Sequence, residues 1–189
     1  TSFFPAKPLG AYGDAGAIFT ADPELAKSMR QIIAHGQEGR YKHIRLGLNG
    51  RMDTLQAAVL LSKLKVFDDE LIKRNSIAEQ YTELLTEHVS CELLELPTVQ
   101  HYNKSSWAQY TIRISRRSQV RENLTKAGVP TAVHYPIPLY QQESLAEANL
   151  DCENTETAAQ QVLSLPMHPY LGSKTQGYIV DSLIQAIDF

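Results

Sequence analysis

A single helical stripe dominates the middle of the chain. Between Asp53 and about residue 87, apolar side chains recur at a spacing close to 3.6 residues, and no Gly or Pro interrupts them. Asp53 can accept hydrogen bonds from the first turn of such a helix. The apolar positions are Leu55, Val59, Leu60, Leu64, Phe67, Leu71, Ile77, Tyr81, Leu84 and Leu85. A helix of this length has more apolar surface than one small core covers, so we expect it to bridge two domains or to lie across a dimer interface.

The residues before this helix predict a strand, a second helix and an exposed loop. Residues 15–20 (AGAIFT) have the β-branched and aromatic content of a strand. Asp22 can cap a helix whose first turn holds Pro23 and Glu24 and whose apolar spacing continues to Gly36. Residues 37–51 contain three glycines and five basic residues, which is typical of an exposed loop.

The residues after the long helix alternate between strand and helix patterns. Gly128 ends one helix and starts a further strand. The resulting order is typical of a small α+β domain. The predicted strands are Cys91–Leu96, Trp107–Ile114 and Val129–Val133, and the predicted helices are Arg117–Ala127, Glu153–Leu163 and Lys174–Ile187.

Charge and cysteine content exclude several classes of function. The 189 residues contain 18 Lys+Arg and 21 Asp+Glu, and the basic residues are spread along the chain, so we expect no nucleic-acid partner. No apolar run approaches the ~20 residues that span a bilayer, so no membrane partner is expected either. Cys91 and Cys152 have no CxxC spacing and fit free thiols in the cytoplasm. Six histidines without metal-ligand spacing give no reason to expect a metal site.

The first residues indicate a chain that has been cut from a longer one. Thr1 opens directly into strand and turn residues rather than into Met or a signal sequence. We therefore expect the chain to be the C-terminal part of a longer protein.

Lys7 is the residue of the N-terminal segment best suited to chemistry. It lies between Pro5 and Pro8, which stiffen the backbone and can hold the amine in one direction. A lysine held in this way suits covalent chemistry with a carbonyl compound. On spacing alone, an ordinary surface lysine in a loop remains the alternative.

Four ordered blocks of sequence resemble one family. They are SFFPAKPLGAYGDAGAIFT, HGQEGRYKHIRLGLNGRMDTLQAAVLLSKL, HYPIPLYQQ and LSLPMHPYL, and together they span almost the whole chain. They resemble the DegT/DnrJ/StrS family of pyridoxal 5'-phosphate (PLP)-dependent aminotransferases that act on nucleotide-linked keto sugars. The resemblance implies the α/β fold of fold-type I PLP-dependent enzymes. It also implies that about half of the intact protein is absent, including the helix that binds the PLP phosphate. Residues 1–65 would then be the end of the large domain and residues 66–189 the small C-terminal domain, joined by the helix at about 53–87.

The resemblance also implies roles for three residues at the cofactor. Lys7 matches the lysine that holds PLP covalently and moves a proton during the reaction. Ser2 matches a hydroxyl that donates to the PLP phosphate. Asn49 matches an asparagine that reaches the cofactor phosphate of the neighbouring subunit, although it could also be a turn residue before the helix.

Three further residues match the substrate side of the family's site. Arg51 matches a residue near the sugar nucleotide, and His134 with Tyr135 matches the pair in the HYP motif. A guanidinium is a sensible partner for phosphate or carboxylate oxygens. For Arg51 and His134, surface or structural roles remain alternatives.

The resemblance implies a cytoplasmic homodimer that moves an amino group, with glutamate as the expected donor, to a nucleoside-diphosphate-linked keto sugar. The residues of these blocks favour amination at C3 of a UDP-linked 2-acetamido sugar over amination at C4. The product would serve the synthesis of surface polysaccharide, lipopolysaccharide or deoxysugars. One alternative is a regulatory or sensor member of the family without turnover, although the presence of Lys7 argues against it. Another is that the chain as it stands is an inactive fragment that binds no PLP.

Overall fold

The computed structural model describes residues 1–90, 93–145, 150 and 152–188. The chain divides into two compact units, Thr1–Asp68 and Asp69–Phe189. One helix, α2 (Thr54–His88), contributes residues to both. The long uninterrupted helix that the sequence predicts is therefore present, within a residue of the expected ends.

The first unit contains the predicted capped helix. α1 spans Pro23–Ile33, and Asp22 Oδ1 accepts hydrogen bonds from the backbone N–H groups of Glu24 (2.9 Å) and Leu25 (3.1 Å). These contacts satisfy donors that the first turn of a helix leaves free. After the helix the backbone turns with positive φ at His35 (62°) and Gly36 (72°).

The strand expected at residues 15–20 is absent, and this prediction was wrong. The segment forms only an isolated antiparallel bridge between Ser2 and Gly16, with the Ala17 N–H donating to the Thr1 carbonyl. A strand is stabilised by the backbone of a neighbour, and beyond residues 1–3 no described residue forms a backbone bridge with this segment. Phe19 is consequently 81% exposed.

The prediction of an exposed loop at residues 37–51 was also partly wrong. The segment contains an antiparallel hairpin of β1 (Gln37–Gly39) and β2 (Lys42–His43). An ion pair of 2.6 Å between Lys42 and Glu38 lies across the hairpin. The segment is nevertheless exposed along almost its whole length, as predicted, because polar residues occupy both strands.

The second unit is built on a three-stranded antiparallel sheet in the order β3-β4-β5. β3 is Leu94–Glu95, β4 is Tyr110–Ile114 and β5 is Val162–Leu165. Alternate residues of β4 are buried, which places one face of the central strand in the core. The core side chains come from α2, the sheet and the helices α3 (Arg117–Lys126) and α5 (Ser173–Asp188); they include Ile77, Tyr81, Leu85, Ile112, Val120, Leu124, Leu163, Ile179 and Leu183.

Helix predictions in this unit are confirmed more closely than strand predictions. α3 and α5 lie within a residue of their expected ends, and Gly128 has the positive φ (75°) expected after a helix. α4 is Glu153–Gln161, so the predicted helix is two residues too long. The reason is that Val162 and Leu163 pair with β4 as part of β5.

The predicted strands in this unit are longer than the observed ones. Trp107 lies outside β4, since its φ of 44° is incompatible with a strand. Residues 129–133 form only an isolated bridge between Ala132 and Ser164. Of the predicted Cys91–Leu96 strand, only β3 is seen, and Cys91 lies outside the described residues. Within the described ranges, no helix has both the length and the hydrophobicity required to cross a membrane.

Candidate functional site

Lys7 lies at the exposed apex of a closed turn. Its backbone N–H donates to the Phe4 carbonyl (2.8 Å), and the Ala11 N–H donates to the Phe3 carbonyl (2.8 Å). Ala11 is fully buried and Gly10 is buried beside it. The turn therefore has a packed base and an exposed tip. Among the described residues, none forms a hydrogen bond or ion pair with the Lys7 amine, which leaves it free to react.

Ser2 belongs to the same turn. Its Oγ accepts a hydrogen bond from the Phe4 N–H (3.2 Å), and its backbone pairs with Gly16. This contact uses a lone pair of the hydroxyl and not its proton. Ser2 can therefore still donate to an anionic oxygen.

Asn49 and Arg51 form a second group in the same unit. Arg51 Nε donates to Asn49 Oδ1 (3.1 Å), and the Asn49 backbone pairs with Ala34 at the end of α1. Both side chains are exposed. The Asn49 amide nitrogen and the terminal guanidinium nitrogens of Arg51 have no partner among the described residues. The pair thus presents several N–H donors to solvent, which is the chemistry that binds phosphate and carboxylate groups.

His134 and Tyr135 lie in the second unit. Their rings meet edge to face, with centroids 5.4 Å apart, and both line a small cavity of about 230 Å³. His134 Nδ1 lies 3.2 Å from the hydroxyl of buried Ser164, which in turn lies 2.8 Å from the Thr111 hydroxyl. The imidazole is therefore oriented by β4 and β5, whereas Tyr135 is 70% exposed.

An acidic side chain lies next to the segment that lines this cavity. Glu156 Oε1 accepts hydrogen bonds from the Tyr140 hydroxyl (2.7 Å) and from Gln141 Nε2 (2.9 Å). The hydrogen bond to Glu156 raises the pKa of Tyr140 to about 12. Tyr140 therefore stays protonated to more alkaline pH than an ordinary tyrosine, and the contact holds the turn after Pro138 to α4.

The structure thus groups the predicted site residues in two sets. Ser2 and Lys7 share one turn, and Asn49 is bonded to Arg51, all within Thr1–Asp68. His134 and Tyr135 form a separate pair within Asp69–Phe189.

Two residues that contact the segment after Lys7 were missed by sequence reasoning. Lys63 Nζ donates to the Gly10 carbonyl (2.6 Å), and Gln56 Oε1 accepts from the Tyr12 N–H (2.8 Å). Both lie on α2. A signal was present in the sequence, since Lys63 follows Leu60 by three residues and places a charge on the face that Leu60 buries.

Comparison with known proteins identifies relatives over nearly the whole chain. The model of the DegT/DnrJ/EryC1/StrS aminotransferase family matches residues 1–184. The chain is 53% identical to the UDP-2-acetamido-2-deoxy-3-oxo-D-glucuronate aminotransferase of Pseudomonas aeruginosa, over 90% of this chain and 46% of that protein. It is 40% identical to a Geobacillus stearothermophilus protein named pleiotropic regulatory protein, over 97% of this chain and 50% of that one.

The fold is shared with solved structures of the same family. The crystal structure of NtdA from Bacillus subtilis with bound cofactor PMP matches with a TM-score of 0.89 and 33% identity, over 100% of this chain and 45% of that chain. The chain spans about half the length of the curated relatives it matches. Its α/β fold is that of PLP-dependent aminotransferases, and the chain belongs to the DegT/DnrJ/EryC1/StrS aminotransferase family.

Proposed function

We propose that the chain is the C-terminal part of a PLP-dependent aminotransferase. The enzyme moves an amino group from glutamate to a nucleoside-diphosphate-linked keto sugar, with a UDP-linked 2-acetamido-3-keto sugar as the substrate. The observation that carries the proposal is the unpartnered Lys7 amine on a turn with a packed base. The 53% identity to an enzyme named for a UDP-linked 3-oxo sugar supports the choice of substrate.

The chemistry of the donors in the first unit fits PLP. Lys7 supplies an amine for a covalent link, the Ser2 hydroxyl can donate a hydrogen bond, and Asn49 has a free amide nitrogen. An aldehyde with a phosphate group requires one amine and several N–H or O–H donors. When bound, PLP supplies the electron sink that labilises a bond at the amino carbon.

The residues of the chain have separate tasks in this proposal. Lys7 would hold the cofactor through a covalent link and would move the proton that the amino transfer requires. Ser2 and Asn49 donate to phosphate oxygens, with Asn49 acting across the two-fold axis of a homodimer. Arg51 binds an anionic group of the sugar nucleotide, because its terminal nitrogens remain free beside Asn49. His134 and Tyr135 are the proposed contacts to the sugar substrate.

The same proposal assigns the two parts of the chain. Residues 1–65 are the end of the large PLP-binding domain and residues 66–189 the small C-terminal domain. The intact protein is a homodimer. Its location is the cytoplasm, in keeping with the free thiol of Cys152.

The test labels the reactive lysine in the full-length gene product. After addition of PLP and borohydride reduction, peptide mapping should place the pyridoxyl group on the SFFPAKPLG peptide. Lys7→Ala should abolish both the label and the amination of the UDP-linked 3-keto sugar, because no other amine occupies that turn. Lys65→Ala, which removes an exposed lysine of α2, is the matched control and should keep both. A label on another peptide would contradict the assignment.

A regulatory protein of the same family is the second candidate. It is favoured by the 40% identity to a protein named as a regulator. Addition of glutamate distinguishes the two candidates: an aminotransferase converts its bound cofactor and changes its visible absorbance, whereas a sensor without turnover leaves it unchanged.

A further inference from the structure

The turn that carries Lys7 is attached to α2 at three points. Lys63 Nζ donates to the Gly10 carbonyl (2.6 Å) and lies 4.9 Å from the centre of the Tyr12 ring. Gln56 Oε1 accepts from the Tyr12 N–H (2.8 Å). Gln56 and Lys63 are seven residues apart, which places them on one face of the helix. Two side chains of one helix therefore hold Gly10 and Tyr12, on either side of Ala11, in the segment that follows the Lys7 turn.

The charge of Lys63 has an unusual environment for a lysine. The residue is half-buried, and among the described residues no carboxylate lies within ion-pair distance of its amine. Its partners are a carbonyl oxygen and the face of an aromatic ring, both of which attract a cation. Both partners belong to the segment after Lys7, so the charge of Lys63 is directed entirely at that segment.

Close backbone contacts at the base of the turn connect the attached residues to Lys7. A Cβ on Gly10 would lie 2.5 Å from the Pro5 carbonyl oxygen, so the backbone segments on the two sides of the turn are in contact at this point. The Ala11 N–H closes the turn on Phe3, and Pro8 restricts the backbone between Lys7 and Gly10. A shift of the Gly10 carbonyl would therefore move the apex as well.

We infer that Lys63, assisted by Gln56, is a positioning residue that sets the direction of the Lys7 amine. The inference rests on the proposed function, in which Lys7 must face a bound cofactor. Lys63 itself touches neither substrate nor cofactor, and it acts through the backbone of residues 10–12. A positioning residue of this kind should affect turnover more than substrate binding.

The test compares four variants of the full-length gene product by amide hydrogen exchange and by steady-state kinetics. Lys63→Met removes the charge but keeps the length of the side chain, Lys63→Arg keeps a donor, and Gln56→Met removes the second attachment. Lys65→Met is the control on the same helix. Exchange reports whether the attachment exists, independently of any activity.

Lys63→Met should accelerate exchange at Ala11 and Tyr12 roughly tenfold and lower kcat roughly 10- to 100-fold, with KM for the sugar nucleotide unchanged. Lys63→Arg should have an exchange rate and a kcat close to those of the wild type, and Lys65→Met should match the wild type in both. If Lys63→Met does not fold, Gln56→Met gives the same comparison through Tyr12.

Two results would overturn the inference. Unchanged hydrogen exchange in Lys63→Met would show that Lys63 does not hold the segment at residues 10–12. Faster exchange with an unchanged kcat would show that this contact does not affect Lys7. An inactive wild type that takes no label at Lys7 would instead refute the proposed function, and the positioning role with it. The exchange data would then still report on the attachment alone.

Discussion

At the scale of single residues, the Lys7 turn depends on a position that cannot hold a side chain. A Cβ on Gly10 would lie 2.5 Å from the Pro5 carbonyl oxygen and 2.8 Å from that of Phe4. These neighbours are backbone atoms, so they cannot move aside as a flexible side chain would. The shape of the turn that presents Lys7 therefore requires glycine here.

Gly10→Ala should lower the stability of the first unit by about 1–3 kcal/mol, the usual cost of forcing extra atoms into a packed site. Thermal unfolding followed by circular dichroism would measure this loss. Gly39→Ala is the matched control, because a Cβ at Gly39 meets nothing within 4 Å. Equal stability of the two variants would show that the turn is not packed as described.

At this scale, sequence reasoning proposed the groups with reactive chemistry and missed the residues that contact the segment after Lys7. The prolines around Lys7 leave an ordinary surface lysine as an alternative, and the resemblance of the whole SFFPAKPLGAYGDAGAIFT block to the family is what singles Lys7 out. The bonds from Lys63 to Gly10 and from Ser164 to His134 join residues 53 and 30 positions apart. No local pattern encodes such contacts, because they depend on how distant elements pack.

At the scale of elements, helix ends were predictable and strands were not. The Asp22 cap and the glycine at Gly128 act through neighbouring residues, so α1 begins and α3 ends where the sequence indicates, whereas α1 ends at Ile33, before the predicted Gly36. A strand depends on a partner elsewhere in the chain. Residues 15–20 have strand composition, but their backbone pairs only with residues 1–3 in an isolated bridge. Val162 was assigned to a helix although it pairs with β4.

α5 offers a direct test of an element. Gly177 lies in its interior, and a Cβ there meets nothing within 4 Å. Gly177→Ala should therefore raise the free energy of unfolding by about 0.5–1 kcal/mol, since alanine loses less backbone freedom in a helix. Urea denaturation would measure the gain. Gly172→Ala, which lies before the helix, should give no comparable gain, and a destabilised Gly177→Ala variant would contradict the open surroundings of that position.

At the scale of the whole molecule, the proposed homodimer makes each site a product of two subunits. A Lys7→Ala subunit supplies a normal Asn49, and an Asn49→Ala subunit supplies a normal Lys7. In a mixed dimer of the full-length protein, one site contains both normal residues and the other contains neither. Mixing two inactive variants should therefore restore activity at one site per heterodimer.

Activity of the mixture, measured by product formation after denaturation and joint refolding, checks this expectation. A mixture of Lys7→Ala with Lys7→Arg is the control and should stay inactive, because neither subunit supplies the amine. If the Lys7→Ala and Asn49→Ala subunits form heterodimers without recovery of activity, Asn49 does not act across the two-fold axis.

The boundary between the two compact units falls inside α2, between Asp68 and Asp69, and not in a connecting loop. At that point every backbone group belongs to a helical ladder that extends, at 1.5 Å per residue, over roughly 50 Å. Genetic recombination that exchanges whole domains succeeds most easily at exposed linkers, where a change of length is tolerated. Here a breakpoint would have to preserve the helical phase to the residue, because one inserted residue turns every later side chain by about 100°. An exchange of one unit for another at this boundary must therefore keep the helical register of α2.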